Sequence, residues 1–137
     1  MDHTYFMAKA LDLAQRALER GEFPVGCVMV YQGNVIASGA RMHTHGDAKN
    51  EIDHAEMVAL RHLSELTDDI DTGKVILYST MEPCLMCLAA VIINGIRQIV
   101  YAYEDVMGGG TTCDLSQLKP LYNSGNIKIV PGIERKR

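Results

Sequence analysis

The stretch Val75-Ile76-Leu77-Tyr78-Ser79-Thr80-Met81-Glu82-Pro83-Cys84-Leu85-Met86-Cys87 changes pattern partway along, from a short apolar run to a Pro-Cys-x-x-Cys turn that opens a second run. Val75 to Ser79 reads as a strand, and the run from Cys84 to Ile93 as a helix. Pro83 suits that helix's first turn, because its missing N–H is one of the orphan donors there anyway. The helix is too short to cross a bilayer, and its continuous apolar character predicts burial on all sides.

The alternation of helix and strand continues in both directions. Phe6, Ala10, Leu13 and Ala17 share one face of a first helix, and Gly21 is placed to end it. Val25 to Tyr31 is apolar on both faces, as a central strand is. Gln32-Gly33-Asn34 turns the chain into a second strand, Val35 to Arg41, making a hairpin. A helix starts at His54, and Gln98 to Tyr103 and Ile127 to Val130 read as later strands. No repeat or low-complexity linker interrupts the series, so residues 1–137 are expected to form one α/β domain, a sheet with helices on both faces.

Composition sets the outer bounds. With 47% hydrophobic and 22% charged residues, the chain is ordinary for a globular protein and disorder is excluded. The start, Met1-Asp2-His3-Thr4-Tyr5-Phe6, lacks a basic segment followed by an apolar one, so no secretory signal is expected and a reducing cytoplasm fits. The formal net charge is −4, and Arg135-Lys136-Arg137 is the one basic cluster.

His54-Ala55-Glu56 and Pro83-Cys84-Leu85-Met86-Cys87 together supply an imidazole, two thiols and one carboxylate that ligation does not need. Three protein donors leave a tetrahedral zinc ion one open position for water, whereas a structural zinc site fills all four. Zinc lowers the pKa of such a water toward about 7, and Glu56 can carry the proton. Residues two apart inside a helix point apart, so His54 and Glu56 belong at a helix start. The positive end of the second helix favours thiolate at Cys84 and Cys87. Two other readings use the same cysteines. A redox dithiol leaves His54 and Glu56 unexplained. A closed structural zinc site needs a fourth donor: Cys27 reads as a small buried hydrophobe within its strand, and Cys113, after Gly108-Gly109-Gly110-Thr111-Thr112, remains a candidate.

His-x-Glu followed by Pro-Cys-x-x-Cys resembles the signature of the cytidine deaminase-like superfamily. Glu22 to Val30, His54 to Leu60 and Leu77 to Cys84 resemble segments of its branch of bacterial tRNA adenosine deaminases and related nucleoside or free-base deaminases, in the same order. The resemblance implies a three-layer α/β/α fold with a central mixed sheet of about five strands. It implies one zinc ion per chain on His54, Cys84 and Cys87, a proton-shuttling Glu56, and a base pocket lined by Val25 and Ala55. The reaction it implies is hydrolytic loss of an exocyclic amino group as ammonia. It also implies a homodimer or larger homo-oligomer; the Cys84 helix and Tyr101-Ala102-Tyr103 read either as contact surfaces for it or as ordinary core positions.

Departures from that pattern bear on substrate. Where the tRNA-editing group carries a Trp-Asn pair, this chain has Ala40 and Arg41. Arg41 can pair with a phosphate or carboxylate, or simply end an exposed strand. Asp53 can accept hydrogen bonds from a free base or cap the following helix. His43 and His45 could bind a second metal or belong to a substrate-covering loop. Glu82 is expected to hold its loop, and the Gly108–Gly110 run either cradles an anion or forms a flexible turn. The acidic balance, and a chain that stops where tRNA-editing relatives continue into a C-terminal helix, favour a small free heterocycle as substrate. A tRNA adenosine substrate is the alternative, and a structural-zinc interaction module without catalysis is the alternative from another class. No membrane partner is expected.

Overall fold

A computed structural model describes residues 2–66, 69–123 and 127–134. The first helix, α1 (His3–Glu19), starts where the Asp2 carboxylate accepts the Tyr5 backbone N–H at 3.1 Å, an N-cap bond. It ends at Gly21, whose φ of 80° lets Glu22 N–H reach Ala17 O and Gly21 N–H reach Leu18 O, both at 2.9 Å. Phe6, Met7, Ala10, Ala14 and Ala17 form its buried face.

Strand β1 (Gly26–Tyr31) turns through Gln32 (φ 52°) and Gly33 (φ 80°) into β2 (Asn34–Ala40), the left-handed pair that a two-residue hairpin requires. There follow α2 (Ala55–Ser64), β3 (Ile76–Met81), α3 (Leu85–Ile93), β4 (Gln98–Tyr103), a short α4 (Pro120–Asn123) and β5 (Lys128–Val130). The five strands form one sheet in the order β2-β1-β3-β4-β5. β1 is antiparallel to β2 and β3, whereas β3, β4 and β5 run parallel.

The central strands divide their side chains between two cores by simple alternation. Val28 and Val30 of β1 join Phe6, Met7, Ala10, Tyr78 and Val100 under α1. Cys27 and Met29 join Ala55, Ala59, Leu77, Leu88, Val91 and Ile99 under α2 and α3. The expected three-layer arrangement with a mixed five-stranded sheet is therefore the observed one.

Two glycines set how closely the layers approach. A Cβ at Gly26 would stand 2.4 Å from Ala10 O, and one at Gly39 would stand 2.4 Å from Ala55 O and 2.7 Å from Ala59 N. α1 and α2 thus rest their backbones on the sheet at these points, and the second contact fixes the start of α2.

Three sequence expectations need correction. Pro83 lies before α3, with Cys84 at the N-cap. The Cys84–Ile93 run is not buried all round: Cys87, Leu88, Val91 and Ile92 face the core, while Leu85, Met86 and Ile93 are exposed, because an outer-layer helix presents only one face to the sheet. Of the two readings of Tyr101-Ala102-Tyr103, the contact-surface one fails and the core one holds for Tyr101 and Ala102, which are buried in β4. The Arg135-Lys136-Arg137 cluster lies outside the described residues. No helix among the described residues is long and apolar enough to cross a membrane.

Gly39→Ala is expected to lower the unfolding free energy by ~1–3 kcal/mol through overpacking against α2. Gly33→Ala, which meets open space and suffers only its left-handed conformation, is expected to cost ~1–2 kcal/mol. Urea unfolding of both variants measures the difference, and loss of metal affinity should accompany only the first.

Candidate metal centre and active site

The N-termini of α2 and α3 meet at the end of the sheet where β3 finishes and β1 begins. His54 is the N-cap of α2 in an extended conformation (φ −63°, ψ 155°) and makes no capping bond with its side chain. Its ring instead faces two sulfurs: Nδ1 is 3.7 Å from Cys84 Sγ and 3.5 Å from Cys87 Sγ. One donor atom from each of the three residues lies within 4.8 Å of the other two. Bonds of 2.0–2.3 Å to one tetrahedral zinc put neighbouring donors roughly 3.6 Å apart, so the donor set fits that ion.

Among the described residues no fourth His, Cys, Asp or Glu joins the group. Cys27 is buried, with its thiol donating to Ala55 O at 3.2 Å, and Cys113 is exposed. The closed structural-zinc reading therefore lacks its fourth donor among these residues, and the redox reading leaves the imidazole between the sulfurs unaccounted for.

The extended His54 followed by helical Ala55 and Glu56 brings both polar side chains of His-x-Glu to one pocket, as the two-residue spacing required. That pocket, ≈ 330 Å³, is lined by Val25, Ala55, Glu56, His54 and Cys84, with Arg41 at its side. Glu56 is buried, and burial pushes its carboxyl up to about 7; negative charge on Cys84 adds to the shift and the Ser79 hydroxyl opposes it. Cys84 is pulled down to about 5, chiefly by a hydrogen bond from the Cys87 thiol, with the N–H groups of the helix start and His54 assisting. The same hydrogen bond, together with burial, pushes Cys87 up, so the first thiolate is Cys84.

The loop between β2 and α2 overturns the exposed-strand reading of Arg41 and gives it a carboxylate partner from the chain itself, Glu51. Arg41 is 6% exposed, so it does not end an exposed strand, and β2 stops at Ala40. Its guanidinium donates to the carbonyls of Met42, Asp53 (3.2 Å) and Asn50 (2.8 Å), with Glu51 3.7 Å away, so three of its five donors tie the loop. Asp53 does not cap α2. Its carboxylate accepts from Asn50 Nδ2 at 2.9 Å and lies 2.6 Å from His43 Nδ1, which holds it below the ordinary carboxylate range and outside the pocket lining. His43 and His45 do not converge on a second metal, because His45 points toward Glu22 at 3.9 Å.

Phe23, Thr44, Glu51, Met81, Glu82 and Asp105 also border the pocket, and sequence reading placed none of them there. Glu51, three residues before His54, carried a local signal; Asp105, after β4, carried none. Arg41→Ala is expected to destabilise the fold by ~2–3 kcal/mol by stranding buried carbonyls. Arg41→Lys should recover little of that, because one ammonium cannot reproduce the planar fork. Thermal or urea unfolding checks both.

Comparison with known proteins agrees with the geometry. The family model for the cytidine and deoxycytidylate deaminase zinc-binding region matches residues 1–103. The chain is 41% identical over 135 residues to a Danio rerio protein named tRNA-specific adenosine deaminase 2, covering 93% of this chain and 62% of that one. It is 34% identical over 110 residues to a Streptococcus pyogenes tRNA-specific adenosine deaminase, covering 80% of this chain and 67% of the relative. A solved structure from work on A-to-I editing by tRNA:A34 deaminases superposes with a TM-score of 0.80 at 31% identity, covering 96% of this chain and 100% of that chain. Guanine deaminase from Bacillus subtilis superposes with a TM-score of 0.67 at 32% identity over 76% of this chain and 66% of that one. With its fold, its donor triad and the greater part of its length in agreement, the chain belongs to the cytidine and deoxycytidylate deaminase zinc-binding family.

Proposed function

We propose that this chain is a zinc-dependent hydrolytic deaminase whose substrate is an adenosine in tRNA. The chemistry is carried by one observation: a buried carboxylate, Glu56, opens into the same pocket as three donors that fit a single zinc ion with a position to spare. When bound, zinc supplies a water that ionises near neutral pH and a Lewis acid for the developing charge. His54, Cys84 and Cys87 hold it.

Glu56 then moves the protons. With its carboxyl pushed up to about 7, it would take one proton from the attacking water and pass it to the ring nitrogen, then take the second from the hydroxyl left on the ring carbon and give it to the departing amino group. The balance is one water consumed, the C–N bond to the amino group broken, a ring carbonyl formed and ammonia released. Val25 and Ala55 supply apolar walls for the base and help keep bulk water out.

The relatives named tRNA-specific adenosine deaminases support tRNA over the small free heterocycle that composition favoured. A free nucleobase or nucleoside is retained as the second reading on a specific observation: among the described residues the pocket border carries Glu51, Glu82 and Asp105 against one guanidinium, Arg41, three of whose five donors go to backbone carbonyls. That border is a poor receiver of phosphate. The thiolates that ligation needs favour a reducing compartment, and the cytoplasm is the compartment of this reading.

We further assign the outer face of α3 to a second copy of this chain. Leu85 and Met86 are exposed on the helix that carries both cysteines, and a groove lined by Leu88, Ile92, Leu118 and Tyr122 continues that surface. A copy seated there would border the pocket. Light scattering should give twice the chain mass, and Met86→Glu should shift the protein toward monomer.

Ammonia release from an anticodon stem-loop bearing adenosine, compared with free adenosine, guanine, cytosine and cytidine, tests the substrate. Turnover confined to the small molecules would exchange the two readings. Glu56→Gln should keep one zinc per chain and a native fold yet lose ~10²–10⁴ in kcat. Unchanged turnover in that variant would remove Glu56 from the mechanism.

A further inference from the structure

Among the described residues, the buried charged side chains are Arg41, Glu56 and Glu82; Glu56 serves the chemistry and Arg41 the loop before α2, which leaves Glu82. Its carboxylate is given entirely to one loop. Oε1 accepts the Asp105 N–H at 3.1 Å, and Oε2 accepts the Thr111 N–H at 3.1 Å together with the Thr111 hydroxyl. The backbone adds further ties between this loop and the turn that carries the first cysteine. Gly110 N–H donates to Pro83 O at 2.9 Å, and Gly109 forms a β-bridge with Cys84.

Packing leaves room for nothing larger. A Cβ at Gly109 would stand 2.3 Å from Glu82 Oε1 and 2.7 Å from Asp105 O, and one at Gly110 would stand 2.9 Å from Leu85 Cα. The glycine N–H groups do not cradle that anion: Gly108 N–H donates to Asp105 Oδ1, Gly109 N–H to Asp105 O and Gly110 N–H to Pro83 O, and the run instead lets the Glu82 carboxylate lie directly against its backbone. At the loop's tip Val106 and Met107 are 93% and 96% exposed, so packing there contributes nothing to its position. What the clamp holds in place is a wall of the pocket, since both Glu82 and Asp105 border it.

We propose that Glu82 is a positioning residue for substrate binding, an acceptor-only carboxylate that fixes the 105–111 loop beside the metal-donor turn so that Asp105 borders the pocket in one arrangement. The requirement for an acceptor at both oxygens is strict. A glutamine has the same shape, yet its NH₂ must face either the Asp105 N–H or the Thr111 N–H, donor against donor. Thr111→Val removes one arm of the clamp, and Thr111→Ser keeps it.

The kinetic part of the test rests on the deaminase reading, whereas the exchange part does not. Backbone amide exchange at Asp105 and Thr111 is measured by NMR in wild type, Glu82→Gln, Thr111→Val and Thr111→Ser, with zinc content, kcat and KM for the anticodon stem-loop. Exchange at one or both amides should quicken roughly tenfold or more in Glu82→Gln and Thr111→Val, with Leu77 and Tyr78 unchanged. KM should rise about tenfold while kcat stays within about threefold and zinc stays at one per chain. Thr111→Ser should restore all of these. Unchanged exchange at both amides, a fall in kcat at constant KM, or loss of zinc in the folded variants would overturn the proposal. If Glu82→Gln fails to fold, the Thr111 pair decides by the same criteria. If wild type deaminates none of the substrates, the functional reading falls and exchange alone decides for or against the clamp.

Discussion

The contact between the first turn of α2 and the sheet is the constraint on which the site depends. Gly39 leaves no room for a side chain against Ala55 O, and the Cys27 thiol, one strand inward, donates to that same oxygen. Cys27 and Gly39 are register partners across β1 and β2, so two neighbouring positions of the hairpin grip a single carbonyl. That carbonyl belongs to the residue between His54 and Glu56. Pinning it fixes the imidazole on one side and the carboxylate on the other without any contact to either side chain. Cys27, a candidate fourth ligand by composition, is thus part of the scaffold that aims the ligand.

The second half of the donor set is delivered by ordinary α/β geometry. β3 lies between β1 and β4, so the helix that follows it begins beside the start of β1 and close to α2. Two helix N-termini meeting at strand ends give a region of positive potential in which thiolates are favoured. The polar residues there show a division of labour set by hydrogen bonding at Cys84 and by burial at Glu56. Cys84, half buried, is drawn toward its charged form, whereas the enclosed Glu56 is pushed toward its neutral one. A metal donor and a proton carrier call for those opposite tendencies.

Around this centre the chain spends its remaining buried charges on loop geometry. Arg41 closes the loop before α2 through three backbone carbonyls, and Glu82 closes the loop after β4 through two N–H groups and a hydroxyl. The two are mirror solutions to one problem. A loop beside a water-excluding pocket has backbone groups that neither a helix nor a sheet can satisfy, and a buried ion with many bonding sites satisfies several at once. Among the described residues, the pocket border carries three acidic side chains besides Glu56, namely Glu51, Glu82 and Asp105, against one guanidinium mostly bound to loop carbonyls, and that balance distinguishes it from a phosphate-binding surface.

The sequence by itself determined the layer order, the hairpin, the strand assignments and the identity of the three donors and the carboxylate. These follow from local rules: the period of apolar residues, a Gln-Gly turn, and ligand spacings that only a helix start can accommodate. Tertiary structure decided what Arg41, Asp53, Glu82 and the glycine run do, and which face of α3 is left open. Polar side chains take their roles from partners brought near by folding, and spacing along the chain cannot say whether a carboxylate will meet a ligand, a helix end or a loop amide. Asp53 looked like a cap and became a loop anchor because His43 and Asn50 reached it first. Glu82 found its partners more than twenty residues away, at a separation that no local pattern encodes.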